Sequence, residues 1–348
     1  MRFRLQLGRI APRALLVRRP FMRRRLFRRT LFFPRGLAAL LIVPLLILAV
    51  AAICRFTARA APADQLFDVR QPDYVDLAYA DLSDANRLDL YLPDNATPPY
   101  PLIIWVHGGA WQVGDKSRAP AAILTARGYA VASINYRLSG EASFPAQIHD
   151  VKAAVRWLRA NAETYQLDVE NIGAWGASAG GHLVSLLGTS GGVEALEDLS
   201  MGNAEFSSEV QAVVNWYGAS ILYRGDFARG DLPLREIPSD LRQALNAFLG
   251  CDLTLPVDTP EGSACQTVGE TASPIIYIDE NDPPFLIQHG TDDPISAVEQ
   301  SEIFYVALSD AGVDVTLNLF EGAGHGGREF LNRDNLRIIA DFFRDNLR

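Results

Sequence analysis

The sequence predicts an α/β protein: a mostly parallel, doubly wound sheet with helices on both faces and a small inserted cap. Six short, near-continuous apolar runs recur along the chain, from Leu102, Tyr129, Asn171, Val210, Pro284 and Val313. Runs of this kind suit parallel strands covered on both faces. Segments of helical period lie between them, and a repeated order of strand, helix, strand favours right-handed crossovers. Beyond an atypical N-terminal stretch about 280 residues remain, a length compatible with one α/β domain.

The N-terminal stretch divides into residues 1–35, a basic segment, 36–54, an apolar one, and 55–72, a linker rich in Ala, Pro and Asp; residues 73–348 form the folded domain. Up to Arg59 there are 14 arginines and no acidic residue, which leaves 18 basic against 41 acidic residues and a formal charge of −23 for the rest. An acidic body argues against nucleic acid as a partner. Gly36 to Cys54 is 19 residues without a charge, long enough to span a bilayer. Arginine on its N-terminal flank would hold that end in the cytoplasm and send the domain outside, a single-pass membrane anchor. Cleavage as a signal peptide, with "ARA" before Ala61 as the small-residue site, is the rival reading and gives a secreted protein.

Within the domain, "YVDLAYA" from Tyr74 and "RLDLYLP" from Arg87 alternate with period two around the turn "SDAN", which predicts an antiparallel pair. The segment from Ala146 places Ile148, Val151, Val155 and Leu158 on one helical stripe, and "VEQSEIFYVALSDAG" ends on a glycine suited to a helix stop. Residues 218–283 are long for a connection and carry helical pieces such as "SDLRQALNAFLG", so they are expected to form the cap. Cys251 and Cys265 lie 14 positions apart within it. A disulfide there agrees with an oxidising compartment and would contribute roughly 3 kcal/mol.

The chemistry centres on "NIGAWGASAGGHLV", Asn171 to Val184. A serine on a sharp strand-to-helix turn needs small residues two positions before and after it, because strand and helix pass closely. Gly176 and Gly180 meet that need around Ser178. The helix from Ala179 would point its N-terminal dipole at negative charge formed there. A serine needs a base that titrates near neutrality. His325, in the glycine-rich loop "EGAGHGG", can reach it, whereas His107, His149, His182 and His289 read as structural. Asp292 and Asp293, on a turn after a strand, are both available to fix the histidine tautomer. "WVHGGAW" exposes backbone N–H groups at Gly108 and Gly109, which with that of Ala179 could bind an oxyanion. Trp111, Trp216 and Tyr217 are candidates to line a substrate pocket. No zinc spacing is present and the histidines are scattered, so no metal or cofactor is implied.

The motifs "HGGAW", "NYRLS", "GASAGG", "PPFLIQHGTDD" and "GAGHG", in this order and over roughly Tyr74 to Arg348, resemble esterases of the α/β-hydrolase superfamily related to hormone-sensitive lipase and to bacterial feruloyl and acetylxylan esterases. The resemblance implies an α/β-hydrolase fold, with Ser178 as nucleophile, His325 as base, and Gly108, Gly109 and Ala179 as oxyanion donors. Its acid stands four positions after the histidine of an HGxxD motif, which selects Asp293, although "SAVEQ" replaces the family's usual Val-Pro after it. The implied activity is hydrolysis of a small-molecule or polysaccharide-linked carboxylic ester through an acyl-enzyme. Two other readings stand beside it: an aminopeptidase or amidase with the same triad, which usually carries a propeller domain not seen here, and a surface binding module that keeps the fold without turnover.

Overall fold

A computed structural model describes residues 70–223 and 239–347. The basic segment 1–35, the apolar segment 36–54, nearly all of the linker 55–72 and residues 224–238 of the insert lie outside them. Among the described residues no helix is long and apolar enough to cross a membrane.

Eight strands form one sheet in the order β1-β2-β4-β3-β5-β6-β7-β8. β1 (Tyr74–Ala78) and β2 (Arg87–Tyr91) are the antiparallel pair expected from their period-two pattern, and β2 runs antiparallel to β4 (Ala130–Ile134) as well. β4, β3 (Tyr100–Val106), β5 (Leu167–Ala177), β6 (Ala212–Trp216), β7 (Phe285–Gly290) and β8 (Val315–Phe320) are mutually parallel. This is the α/β-hydrolase fold. Strand order reverses about β3, which pairs with β4 on one side and β5 on the other. Open α/β sheets bind ligands beyond the carboxyl ends of strands at such a switch point.

Alternate residues of β3 explain why its run is continuous rather than alternating. Leu102, Ile104 and Val106 enter one core, with Ile148 and Val151 of α1 (Ala146–Ala160), Leu183 and Leu187 of α2 (Ala179–Thr189), and Phe304 and Leu308 of α5 (Glu299–Asp310). Ile103 and Trp105 enter the other, beneath Ile339 and Phe343 of α6 (Arg333–Asn346) and Leu124 of a 3₁₀ segment, Pro120–Arg127. The α1 stripe Ile148, Val151, Val155 and Leu158 is fully buried, each residue contributing about 1.5–3 kcal/mol relative to exposure. β8 departs from the expectation of cover on both faces: it is the sheet edge, and Leu319 is 40% exposed.

The described part of the insert holds α3 (Ser239–Leu249) and α4 (Pro260–Thr271), and Leu245, Phe248 and Leu249 of α3 join the core that covers β3. Cys251 and Cys265 are bridged, with their Cα atoms 5.6 Å apart, tying the end of α3 to α4.

Candidate active site

β5 ends at Ala177 and α2 begins at Ala179, so the chain turns within one residue. Ser178 takes φ 55° and ψ −119°, a strained conformation for a residue with a side chain. It persists because its surroundings over-determine it. The Ser178 N–H donates to the Trp216 carbonyl at 2.8 Å, and the His182 N–H donates to the Ser178 carbonyl at 2.9 Å. A Cβ at Gly180 would lie 2.0 Å from the Val106 carbonyl oxygen, and one at Gly176 would lie 2.3 Å from the Gly180 carbonyl oxygen. The small residues flanking the serine are thus dictated by close approach of β3, β5 and α2.

His325 comes from the loop between β8 and α6. Its Nε2 lies 2.8 Å from Ser178 Oγ and its Nδ1 lies 2.7 Å from Asp293 Oδ2. An ionised carboxylate only accepts, so Nδ1 carries the proton and Nε2 turns its lone pair towards the hydroxyl. The Asp293 carboxyl is fully buried, whereas Asp292 is exposed. Backbone N–H bonds of the turn go to Asp293 as well, whose Oδ1 accepts from Ile295 at 2.8 Å and Ser296 at 2.9 Å. Burial opposes the charged form of Asp293, but hydrogen bonds from His289, His325, Ser296 and Ile295 outweigh it and hold the carboxyl well below the usual range.

Gly108 follows β3 and abuts the turn: a Cβ there would lie 2.7 Å from the Ala177 carbonyl oxygen and 3.2 Å from Ser178 Cβ. His107 Nδ1 donates to the Gly108 carbonyl at 2.8 Å. Carbonyl and N–H of a trans peptide point in opposite directions, so this bond also fixes the heading of the Gly109 N–H. Burial pushes the His107 pKa down and keeps the ring neutral. The ring stacks on Tyr136 at 4.5 Å, and the Tyr136 hydroxyl donates to the His107 carbonyl at 3.1 Å. Next in the chain, Arg137 grips Asp150 of α1 through its side chain at 2.7 Å and through its own N–H at 2.7 Å. The "NYRLS" segment is therefore the buttress of the glycine loop. Ala179, the third donor expected from the sequence, opens α2 directly after Ser178.

Two aromatic residues expected to line a pocket do not. Trp111 is 4% exposed, stacks on Phe248 at 4.3 Å and donates its indole N–H to His182 at 3.3 Å. Trp216 is 2% exposed, wedged edge-on between Trp105 and Trp175, with its N–H on Gln288 at 2.6 Å. Both are core residues whose polar ends are already satisfied. Tyr217 does reach the site: its ring lies 4.5 Å from that of His325, and burial together with the Asp293 charge raises its phenol above the ordinary value. Among the described residues no group of three or more His, Cys, Asp or Glu side chains is placed to hold a metal ion.

Gln300 and Ser301 of α5 serve the site without any signal in the local sequence. Gln300 Oε1 accepts from the Ser220 and Ile221 N–H groups at 2.9 and 3.0 Å, pinning the entry of the insert to α5, and Ser301 Oγ lies 2.7 Å from His289 Nδ1. Gln300 is an uncharged residue on a mixed helix face, and no local pattern marks it.

Residues 88–308 match the BD-FAE family. The chain belongs to that family. It is 34% identical over 248 residues to Esterase LipC of Mycobacterium tuberculosis, a match covering 70% of this chain and 57% of that protein. To the probable carboxylic ester hydrolase LipM of the same organism it is 31% identical, over 66% of this chain and 50% of the relative. The chain thus spans little more than half the length of these relatives. Among solved structures, a truncated carbohydrate esterase from gut microbiota superposes with a TM-score of 0.68 at 30% identity, covering 80% of this chain and 97% of the other. A bifunctional GH43-CE protein of Bacteroides eggerthii gives a TM-score of 0.69 at 35% identity, over 78% of this chain and 35% of that one.

Proposed function

We propose that the protein is a serine carboxylic ester hydrolase that works through an acyl-enzyme. The observation that carries the reading is the hydrogen-bonded line Ser178 Oγ, His325 Nε2, His325 Nδ1, Asp293 Oδ2, with contacts of 2.8 and 2.7 Å. His325 takes the hydroxyl proton as Ser178 Oγ attacks the ester carbonyl, and Asp293 stabilises the imidazolium that forms. The oxyanion of the tetrahedral intermediate faces the N–H groups of Gly108, Gly109 and Ala179, donors of a kind worth about 10²–10³ in kcat each. Collapse breaks the ester C–O bond, and His325 returns the proton to the departing alcohol. Water, deprotonated by the same imidazole, then attacks the acyl-enzyme and frees the acid and Ser178. The names of the mycobacterial relatives and the carbohydrate esterase neighbours support ester chemistry, and the latter favour a small-molecule or polysaccharide-linked ester.

The same reading places the catalytic domain outside the cell, tethered through residues 36–54. It rests on the arginine-rich flank of that segment and on its uncharged length, and the Cys251–Cys265 bridge agrees with an oxidising compartment. Two experiments test the proposal. A fluorophosphonate should label Ser178, and folded Ser178→Ala should lose both labelling and p-nitrophenyl ester hydrolysis; near wild-type turnover by that variant rejects the mechanism. Protease added to intact cells should digest the domain, and protection until lysis rejects the topology.

A further inference from the structure

A second imidazole meets the carboxylate of Asp293. His289, at the end of β7, is fully buried; its Nε2 lies 3.2 Å from Asp293 Oδ2 and 2.8 Å from the Ser296 carbonyl oxygen, and its Nδ1 lies 2.7 Å from Ser301 Oγ. Carbonyl and carboxylate oxygens accept and do not donate, so both neighbours require the proton on Nε2. Nδ1 is left with a lone pair, to which the Ser301 hydroxyl donates. The tautomer of His289 is dictated by three partners, as that of His325 is dictated by Asp293.

This arrangement leaves Asp293 fully subscribed. Oδ2 receives the His325 N–H and, at 3.2 Å, a share of the His289 Nε2–H, which also goes to the Ser296 carbonyl, while Oδ1 receives the N–H groups of Ile295 and Ser296. Four donors match the roughly four lone-pair sites that a carboxylate offers. Each oxygen is held from two directions, and rotation of the carboxylate plane would break at least one bond.

We infer that His289, with Ser301 behind it, is a positioning residue for the ester hydrolysis: it fixes Asp293 Oδ2 and shares that oxygen with His325, so two imidazoles rather than one set the strength of the Asp293–His325 contact. The inference rests on the Ser178, His325, Asp293 reading above. It differs from a plain structural role, in which His289 ties the end of β7 to the Ser296 turn and has no effect on the protonation of His325. The other titratable groups on the packed elements are Tyr217, whose ring is 4.5 Å from His325 and 6.4 Å from His289, the exposed Asp292, Glu299, Glu302, Asp310, Glu321 and Arg328, and the half-buried Tyr305 and Glu329.

The test is the pH dependence of kcat/KM on a p-nitrophenyl ester, measured on the full chain, with the melting temperature of each variant alongside. In His289→Ala, Oδ2 loses one donor, concentrates its charge on His325 and favours the imidazolium, so the acid limb should move to higher pH by about 0.5. kcat should fall roughly 10–100-fold, the loss typical when a partner behind a directly acting residue is removed, with KM within twofold. His289→Gln, which keeps an N–H donor, should return the limb towards wild type. Ser301→Ala keeps the ring but removes the hydroxyl that polarises it, and should shift the limb the same way by less. It decides the matter on its own if His289→Ala does not fold. An acid limb fixed at its wild-type pH in the folded variants, whatever happens to kcat, overturns the inference. Failure of the triad reading is seen separately, as absence of fluorophosphonate labelling at Ser178 in the wild type.

Discussion

A Cβ built on Gly180 lies 2.0 Å from the Val106 carbonyl oxygen and 2.6 Å from that of His107. The obstruction is backbone on both sides, with no flexible side chain to yield. Val106 and His107 lead directly into Gly108 and Gly109, so any relief of the collision moves the loop proposed to bind the oxyanion. Gly180→Ala should cost at least about 1–3 kcal/mol as overpacking, read as a lowered melting temperature. Its surviving folded fraction should lose about 10² in kcat, as displacements near 1 Å do. Gly140→Ala is the control: open space surrounds that position, and the change should stay within about 0.5 kcal/mol. Equal behaviour of the two variants rejects the account.

The adjacent aspartates should separate sharply. Asp293 meets His325 at 2.7 Å from a buried position, while Asp292 is exposed and its carboxylate lies 3.5 Å from Thr291 Oγ1. Asp293→Asn should lower kcat by about 10⁴, the cost of losing tautomer control in a serine protease. Asp292→Asn should leave kcat within a few-fold. Purified, folded variants with the reverse ranking would assign the acid to Asp292.

What could be read in advance depended on whether its cause was local. The serine turn was legible because strand, helix and close approach act within five residues, and Gly176 and Gly180 record that constraint directly. The choice between Asp292 and Asp293 was not local. Both sit on the turn, and apart from the spacing of the resembled HGxxD motif only the arrival of His325 from the loop after β8 distinguishes them; the backbone N–H groups of Ile295 and Ser296 bond to Asp293 too. Trp111 resembles a pocket residue until Phe248 of α3 stacks on it, a contact between an insert and a loop that no periodicity reports. His289, the second imidazole beside Asp293, is hidden for another reason. A spacing of four places it near Asp293, but its tautomer depends on Ser301, which lies on a different element.

The Cys251–Cys265 bridge closes a separation of 14 residues and joins α3, which enters the core, to α4. A closure of that length contributes roughly 3 kcal/mol. In a domain of this size that corresponds to a melting temperature lower by roughly 5–10 °C in the Cys251→Ala, Cys265→Ala double variant. Thiol reductant should bring the wild type down towards the variant and leave the variant unchanged. A wild type indifferent to both treatments shows that the bridge adds no stability, and free alkylation of both cysteines in the native protein shows that it is not formed.

His182 provides a stability term that depends on pH. It is fully buried on α2; its Nε2 donates to the Ala272 carbonyl at 2.7 Å, and its Nδ1 accepts from the Trp111 indole at 3.3 Å. Protonating Nδ1 would set two N–H groups against each other in a dry site. Burial is the larger cause, and although the bond to Ala272 opposes it, the pKa is pushed down to about 4. The unfolded chain regains a value near 6.5, so between about 4 and 6.5 the unfolded state binds the extra proton and stability rises with pH. The contribution is complete above 6.5 and is lost as pH falls towards 4, of order 3 kcal/mol in all. Burial lowers His107 and His149 as well, so the decisive quantity is a difference between proteins. Urea unfolding from pH 7 to pH 4 should give a shallower fall in free energy for His182→Gln than for wild type, by up to one proton's worth of slope. The comparison uses slopes, so a lower overall stability of the variant does not disturb it; equal slopes would show that His182 is no harder to protonate in the fold than in the unfolded chain.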